Sequence, residues 1–166
     1  MAKTNSLNFC SINIGGMASN QDKQDALLSY LKVNQIHICC LQELVPQHTN
    51  TDFKLKSLNF DGYTAISSGV ETGILILNAI SNDPLNEIKL NFKNHWITWT
   101  AILGQREILV IGSYYRSPSA TDMTYEDIMQ IQSNMKKIKN KFKKRKVNFV
   151  IAGDYNATHK FWNNQQ

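Results

Sequence analysis

The sequence predicts an α/β domain with a single core. Three observations carry this. Apolar runs of strand length recur along the chain, two longer segments repeat apolar residues at three- and four-residue steps, and nothing between them reads as a linker, a repeat or a low-complexity tract. With 166 residues the chain is long enough for one real core and amounts to one domain at most, residues 1–166.

Leu7–Ile14 (LNFCSINI) alternates and reads as a strand that ends at Gly15-Gly16. Ser19 or Asn20 can cap a helix with Asp22 in its first turn and Leu27, Leu28 and Leu31 on its apolar face. Ile36–Leu41 (IHICCL) is a near-continuous apolar run, as for a strand covered on both faces. Residues 46–60 read as a polar loop. Gly73–Ile80, Trp96–Leu103 and Ile108–Tyr115 read as further strands, with Asn82-Asp83-Pro84 as a turn. Thr124 and Asp127 resemble a capping box, opening a helix with Ile128, Ile131, Met135, Ile138 and Phe142 on one face. Val147–Ala152 (VNFVIA) is the last strand, ended by Gly153-Asp154.

Charge is concentrated. The net charge is +5, yet Lys136–Lys146 (KKIKNKFKKRK) holds eight of the eighteen Lys and Arg and no acid. The other residues carry ten basic against thirteen acidic groups, a net of −3. That segment either meets phosphates or is a solvated helix end. The cysteines, Cys10, Cys39 and Cys40, have no zinc or disulfide spacing and read as small core residues of a reducing compartment. Cys39 and Cys40, as strand neighbours, should face opposite sides. No run of eighteen apolar residues predicts a membrane span, and the N-terminus lacks the apolar stretch of a signal peptide. The expectation is an intracellular protein, nuclear or cytoplasmic, with no membrane partner.

Polar residues gather at strand ends. Asn13 is near the end of the first run, Glu43 follows the second, Tyr115 closes the run from Ile108, and Asp154 with Asn156 follows the last. If these strands share a direction, the residues meet on one rim, where loops on a rigid scaffold carry chemistry. Each has an ordinary reading as a turn former, a solvated strand end or a packed tyrosine. Together they offer two carboxylates and a carboxamide, hard oxygen ligands that suit Mg²⁺. A tyrosine hydroxyl could donate to a phosphate held by that ion.

The segments SINIGG, CCLQEL, VETGILIL, GSYYRSP and IAGDYNATHKFW together resemble the endonuclease/exonuclease/phosphatase superfamily. Within it they are most similar to the apurinic-like endonuclease domain of non-LTR retrotransposons, on account of YRSP and of His159 and Trp162 after GDYNA. The resemblance implies a four-layer α/β sandwich of two packed mixed sheets. It implies a metal-dependent DNA endonuclease that uses Mg²⁺, with Mn²⁺ as an alternative. Such an enzyme nicks a target site so that the freed 3′-hydroxyl primes reverse transcription, with DNA as partner and a reverse transcriptase domain in the full-length element. Position by position, Glu43 resembles the metal-binding glutamate and Asn13 the asparagine that supports the metal and phosphate. Tyr115, with Tyr114 one register away, resembles the phosphate-contacting tyrosine. Asp154 resembles the acid that orients the attacking water and Asn156 the asparagine that holds the phosphate. Arg116, His159, Lys143, Lys144 and Arg145 are candidate nucleic-acid contacts; His159 reads equally as structural.

One departure weighs against activity. The family pattern continues to a further Asp and ends in Ser-Asp-His, whereas the histidines here, His37, His48, His95 and His159, follow Ile, Gln, Asn and Thr. The expectation is a domain incomplete at its C-terminus, poorly stable and nearly inactive by itself. The alternatives are an inactive nucleic-acid-binding remnant or another phosphoesterase of the same superfamily.

Overall fold

The computed structural model describes residues 6–17, 20–45, 55, 58, 60–67, 71–80, 82–83, 97–116 and 125–156. In chain order the elements are β1 (Phe9–Asn13), α1 (Gln21–Val33), β2 (Ile38–Gln42), β3 (Tyr63–Ser67), β4 (Thr72–Leu77), β5 (Asn82–Asp83), β6 (Ile97–Leu103), β7 (Glu107–Tyr115), α2 (Tyr125–Lys141) and β8 (Lys146–Asp154).

They form two four-stranded sheets, ordered β1-β2-β4-β3 and β5-β6-β7-β8. Each sheet contains one parallel pair joined through a helix, β1–β2 through α1 and β7–β8 through α2. In each, the inner parallel strand then pairs antiparallel with the next, β2 with β4 and β7 with β6. A parallel pair needs a crossover, and the amphipathic helices supply it. Both sheets are therefore mixed.

Three apolar layers hold four structural layers together. Leu27 and Leu31 of α1 pack with Cys39, Leu41 and Leu75 on the outer face of the first sheet. Ile138, Met135 and Ile131 of α2, with Phe142 in the turn after it, pack on Trp99, Val110 and Phe149 of the second. Between the sheets lie Ile38, Cys40, Ile74, Ile76, Ile102 and Ile111. The pleat sends Cys39 outward to α1 and Cys40 inward, as the sequence predicts. All five residues of β2 are buried, which is the doubly covered strand the apolar run foretold. The fold is thus a helix–sheet–sheet–helix sandwich.

Several expectations change. Tyr63–Ser67 is a strand, β3, not foreseen because its tyrosine, threonine and serine break the apolar run. Asn82 and Asp83 pair with Ile102 and Ala101 as a short strand rather than a turn, because the end of β6 offers them an edge; Pro84 lies outside the described residues. Ile128 is 41% exposed, since no described residue covers the start of that face. Of the loop 46–60, Leu55 and Phe60 are buried, so it is partly apolar in contact. Asn20 is the α1 cap, its side chain accepting from the Lys23 N–H at 3.0 Å. Ser19 and Thr124 lie outside the described residues. Among the described residues no helix is long and apolar enough to cross a membrane.

Candidate active site

The four strands β1, β2, β7 and β8 end at one rim. Parallel pairing aligns β1 with β2 and β7 with β8, and the last residues of β1 and β8 touch: Asn13 Nδ2 donates to Asp154 Oδ2 at 3.0 Å. This bond joins the two sheets. Asn13 Oδ1 in turn accepts the Gly15 N–H at 3.0 Å.

Asp154 is fixed from its own side too. Its Oδ1 accepts the Asn156 N–H at 2.9 Å, a turn made by the side chain onto the backbone two residues on. Asn156 then adopts a left-handed φ of 40°, and its Nδ2 donates to the Arg116 carbonyl. The Arg116 N–H donates to the Asp154 carbonyl at 3.0 Å. Gly153 makes the approach possible: a Cβ there would lie 1.8 Å from the Tyr114 carbonyl oxygen. Only glycine fits that pleat.

Glu43 leaves β2 with φ 52°, a conformation that costs a non-glycine residue of order 1–3 kcal/mol and gathers at functional sites. Its carbonyl accepts the Gly16 N–H at 2.7 Å. Glu71, at the start of β4, lies beside it: burial first and the Glu43 charge second hold its carboxyl above the usual range. A half-buried carboxylate pair is a natural seat for a divalent cation, which would relieve that repulsion. Asn13 Oδ1 has a second lone pair free for the same ion. The donors are hard oxygens, so Glu43 and Asn13 fit the metal that the sequence implies. Among the described residues no three His, Cys, Asp or Glu side chains converge, so water and phosphate would have to complete the shell.

The floor of this rim is a buried polar layer between the sheets. Gln42 Nε2 donates to Ser113 Oγ at 3.1 Å, Ser113 Oγ donates to the Leu41 carbonyl at 2.9 Å, and Ser11 Oγ donates to Gln42 Oε1 at 3.3 Å. Thr98 Oγ1 also donates to the Thr72 carbonyl at 3.0 Å. Satisfied buried networks of this kind rigidify what stands on them. Sequence reasoning missed Gln42 and Ser113. The signal was present: both are polar at the inward parity of otherwise apolar strands. It also missed Glu71, hidden as an ordinary residue before a strand, and Lys23, which donates to loop carbonyls.

The two tyrosines part company. Tyr114 faces α2, its ring 5.0 Å from that of Tyr155. Tyr115 pairs with Asp154 and takes the opposite parity, the face of Ser113, and is buried. Of the two, Tyr115 is therefore on the side of the rim residues. Arg116 is 4% exposed, so its guanidinium does not lie open on the surface.

The basic segment is not part of the rim. Lys143, Lys144 and Arg145 are exposed in the turn before β8, and Lys146 sits opposite Glu107 at the start of the β7–β8 pair. Along β8, Lys146 stands about 26 Å from Asp154 at about 3.3 Å per step, and Lys143, Lys144 and Arg145 precede it. Arg145 Nη1 donates to the Gly104 carbonyl at 3.1 Å and Lys146 pairs with Glu107 at 2.9 Å. His159 and Trp162 lie outside the described residues. Two of the three thiols are buried and held protonated: burial pushes Cys40 up to about 12, and the hydrogen bond with Cys10 followed by burial raises Cys39, while that same bond lowers the Cys10 thiol.

Comparison with known proteins agrees with this architecture. Among solved structures, the endonuclease domain of TRAS1, a telomere-specific non-LTR retrotransposon, is similar at a TM-score of 0.56 and 17% identity, over 92% of this chain and 61% of that one. The 3′ phosphatase NExo from Neisseria, bound to a product DNA hairpin, gives 0.51 and 13%, over 91% and 58%. TDP2 of D. rerio, complexed with single-strand DNA product, gives 0.50 and 19%, over 93% and 63%. The chain thus spans about three-fifths of the length of each, and at these identities the likeness is one of fold. No curated protein sequence matches the chain. The Endonuclease/Exonuclease/phosphatase family model matches residues 10–166, nearly the whole chain and every rim residue described above. With two mixed sheets between two helices and the polar rim of that arrangement, the chain belongs to the endonuclease/exonuclease/phosphatase family.

Proposed function

We propose that the chain is the DNA-nicking domain of a non-LTR retrotransposon, hydrolysing a phosphodiester with Mg²⁺. The observation that carries the reading is the Asn13–Asp154 bond across the two sheets, which brings a carboxylate, two carboxamides and the Glu43 loop onto one rim. Asp154 orients a water for in-line attack and accepts its proton; both its oxygens are held, so its direction is set before substrate arrives. Glu43 and Asn13 would hold the cation, which when bound neutralises charge on the phosphate. Tyr115 donates its hydroxyl to the phosphate from the inter-sheet side. Asn156 holds the phosphate once its amide turns from the Arg116 carbonyl. Arg116 supplies positive charge behind the pair. His159, Lys143, Lys144 and Arg145 are further DNA contacts, the three basic residues reaching duplex away from the cut. A reverse transcriptase would follow the endonuclease in the full element.

A second reading is a nucleic-acid-binding remnant without catalysis. It is favoured by the exposed Lys143, Lys144 and Arg145, which stand away from the rim.

A plasmid-nicking assay with Mg²⁺ separates the readings. It compares the chain, its Asp154→Ala variant and the longest open reading frame containing it. Nicking by either form that Asp154→Ala abolishes supports the endonuclease. DNA binding without nicking in both forms, lost on substituting Lys143, Lys144 and Arg145, supports the remnant.

A further inference from the structure

Lys23 occupies the first turn of α1, where the positive end of the helix dipole disfavours a cation. Local electrostatics do not explain it. Its ammonium instead reaches back to the loop after β1 and donates to the carbonyls of Ile14 at 3.0 Å, Gly15 at 2.7 Å and Gly16 at 3.1 Å. Three donors is all that an ammonium has. Every one is spent on successive peptide groups of a single loop.

That loop is the seat of the rim residues on the first sheet. With the three carbonyls gathered on Lys23, the Gly15 N–H is given to Asn13 Oδ1, the Gly16 N–H to the Glu43 carbonyl and the Met17 N–H to the Leu44 carbonyl. The loop turns through left-handed φ values of 56° at Gly15 and 79° at Gly16, which glycine adopts without strain. Two glycines make a soft hinge, and the ammonium removes that softness. We infer that Lys23 is a positioning residue for the metal and water site: it holds the Asn13 carboxamide toward Asp154 and clamps the backbone that keeps Glu43 in its strained conformation. The inference rests on the function proposed above for Asn13 and Glu43.

The test uses the full chain, isotope-labelled, with Lys23→Met, Lys23→Arg and Glu43→Gln. Two quantities are read: the NMR signals of the Asn13 side-chain amide and of the Gly15 and Gly16 amides, and the affinity for Mn²⁺ alone by electron paramagnetic resonance. Lys23→Met is expected to shift the Asn13 and Gly15 signals, to speed exchange of the Gly16 amide about tenfold and to weaken Mn²⁺ about tenfold, with partial rescue by Lys23→Arg. Unmoved Asn13 and Gly15 signals in a folded Lys23→Met protein overturn the inference. Should that variant fail to fold, the wild type decides: a slowly exchanging Nζ ammonium coupled across hydrogen bonds to the carbonyl carbons of residues 14–16 supports the clamp, and a freely rotating one overturns it. Wild-type protein that binds no Mn²⁺, or whose binding Glu43→Gln leaves unchanged, removes the metal reading, and the Asn13 signals still settle the role of Lys23.

Discussion

The molecule contains the same unit twice, a parallel strand pair bridged by a helix, and the two copies deliver their rim residues by different means. In β1-α1-β2 the chain leaves the edge strand through Gly15-Gly16 and returns to the inner strand, and the rim is held by backbone bonds and one lysine. In β7-α2-β8 it leaves the inner strand and returns to the edge, and the rim is held by a carboxylate, an asparagine and a glycine with no room beside it. The first unit sets the position of Asn13 and Glu43 through a tunable loop. The second sets Asp154 through steric necessity. Precision at a site can come from either, and this fold joins one of each at the rim through the Asn13–Asp154 hydrogen bond.

Four measurements would break or sharpen this contrast. The largest effect is expected for Asp154→Ala in whichever form of the protein nicks DNA: a loss of roughly 10²–10⁴ in rate, the span of a positioned general base. Asn13→Ala should cost less, because Asp154 keeps its bond from Asn156, and equal losses would erase the distinction between the units. Next comes Gly153→Ala, expected to lower stability in urea unfolding by about 3 kcal/mol or more, since its Cβ would overlap the Tyr114 carbonyl. Gly15→Ala, whose Cβ would meet nothing nearer than the Lys23 ammonium at 3.8 Å, should cost only about 1–2 kcal/mol, the penalty of the left-handed backbone. A double-mutant cycle on Gln42→Leu and Ser113→Ala follows, with a coupling of about 1 kcal/mol from the buried bond that crosses the sheets. The smallest effect concerns one exposed ion pair in each half, Lys32–Asp61 and Lys146–Glu107. Their lysines hold both carboxyls below the usual range. Stability from them is present at neutral pH and lost as pH falls through the lowered values. Both carboxylates are fully exposed, so Asp61→Asn and Glu107→Gln should leave an acid titration of stability nearly unchanged.

Much of this was legible in the residues. Long apolar runs gave β2, β4, β6, β7 and β8 because burial on both faces leaves an unmistakable pattern, and the 3.6-residue repeat of Ile131, Met135, Ile138 and Phe142 gave α2. Asn13, Glu43, Asp154 and Asn156 stood out as polar residues at run ends. What stayed hidden was set by pairing. β3 carries too few apolar residues to announce itself, and Asn82-Asp83 is a strand only because β6 lies beside it. The distance of the basic segment from the rim follows from the parallel direction of β7 and β8, which composition does not encode. Lys23 looks like any surface lysine until three carbonyls are seen to meet it.

The bond between Asn13 and Asp154 links residues 141 positions apart. A contact of that span is among the last to be rewarded as a chain folds, since the whole intervening loop must first be closed. During synthesis the first sheet can assemble while the second is still unmade, and such a nascent chain has Asn13 and Glu43 in place with nothing opposite them. The rim is therefore completed in one step, when β8 docks beside β7. A partly made copy holds only half of it, with no Asp154 to meet Asn13.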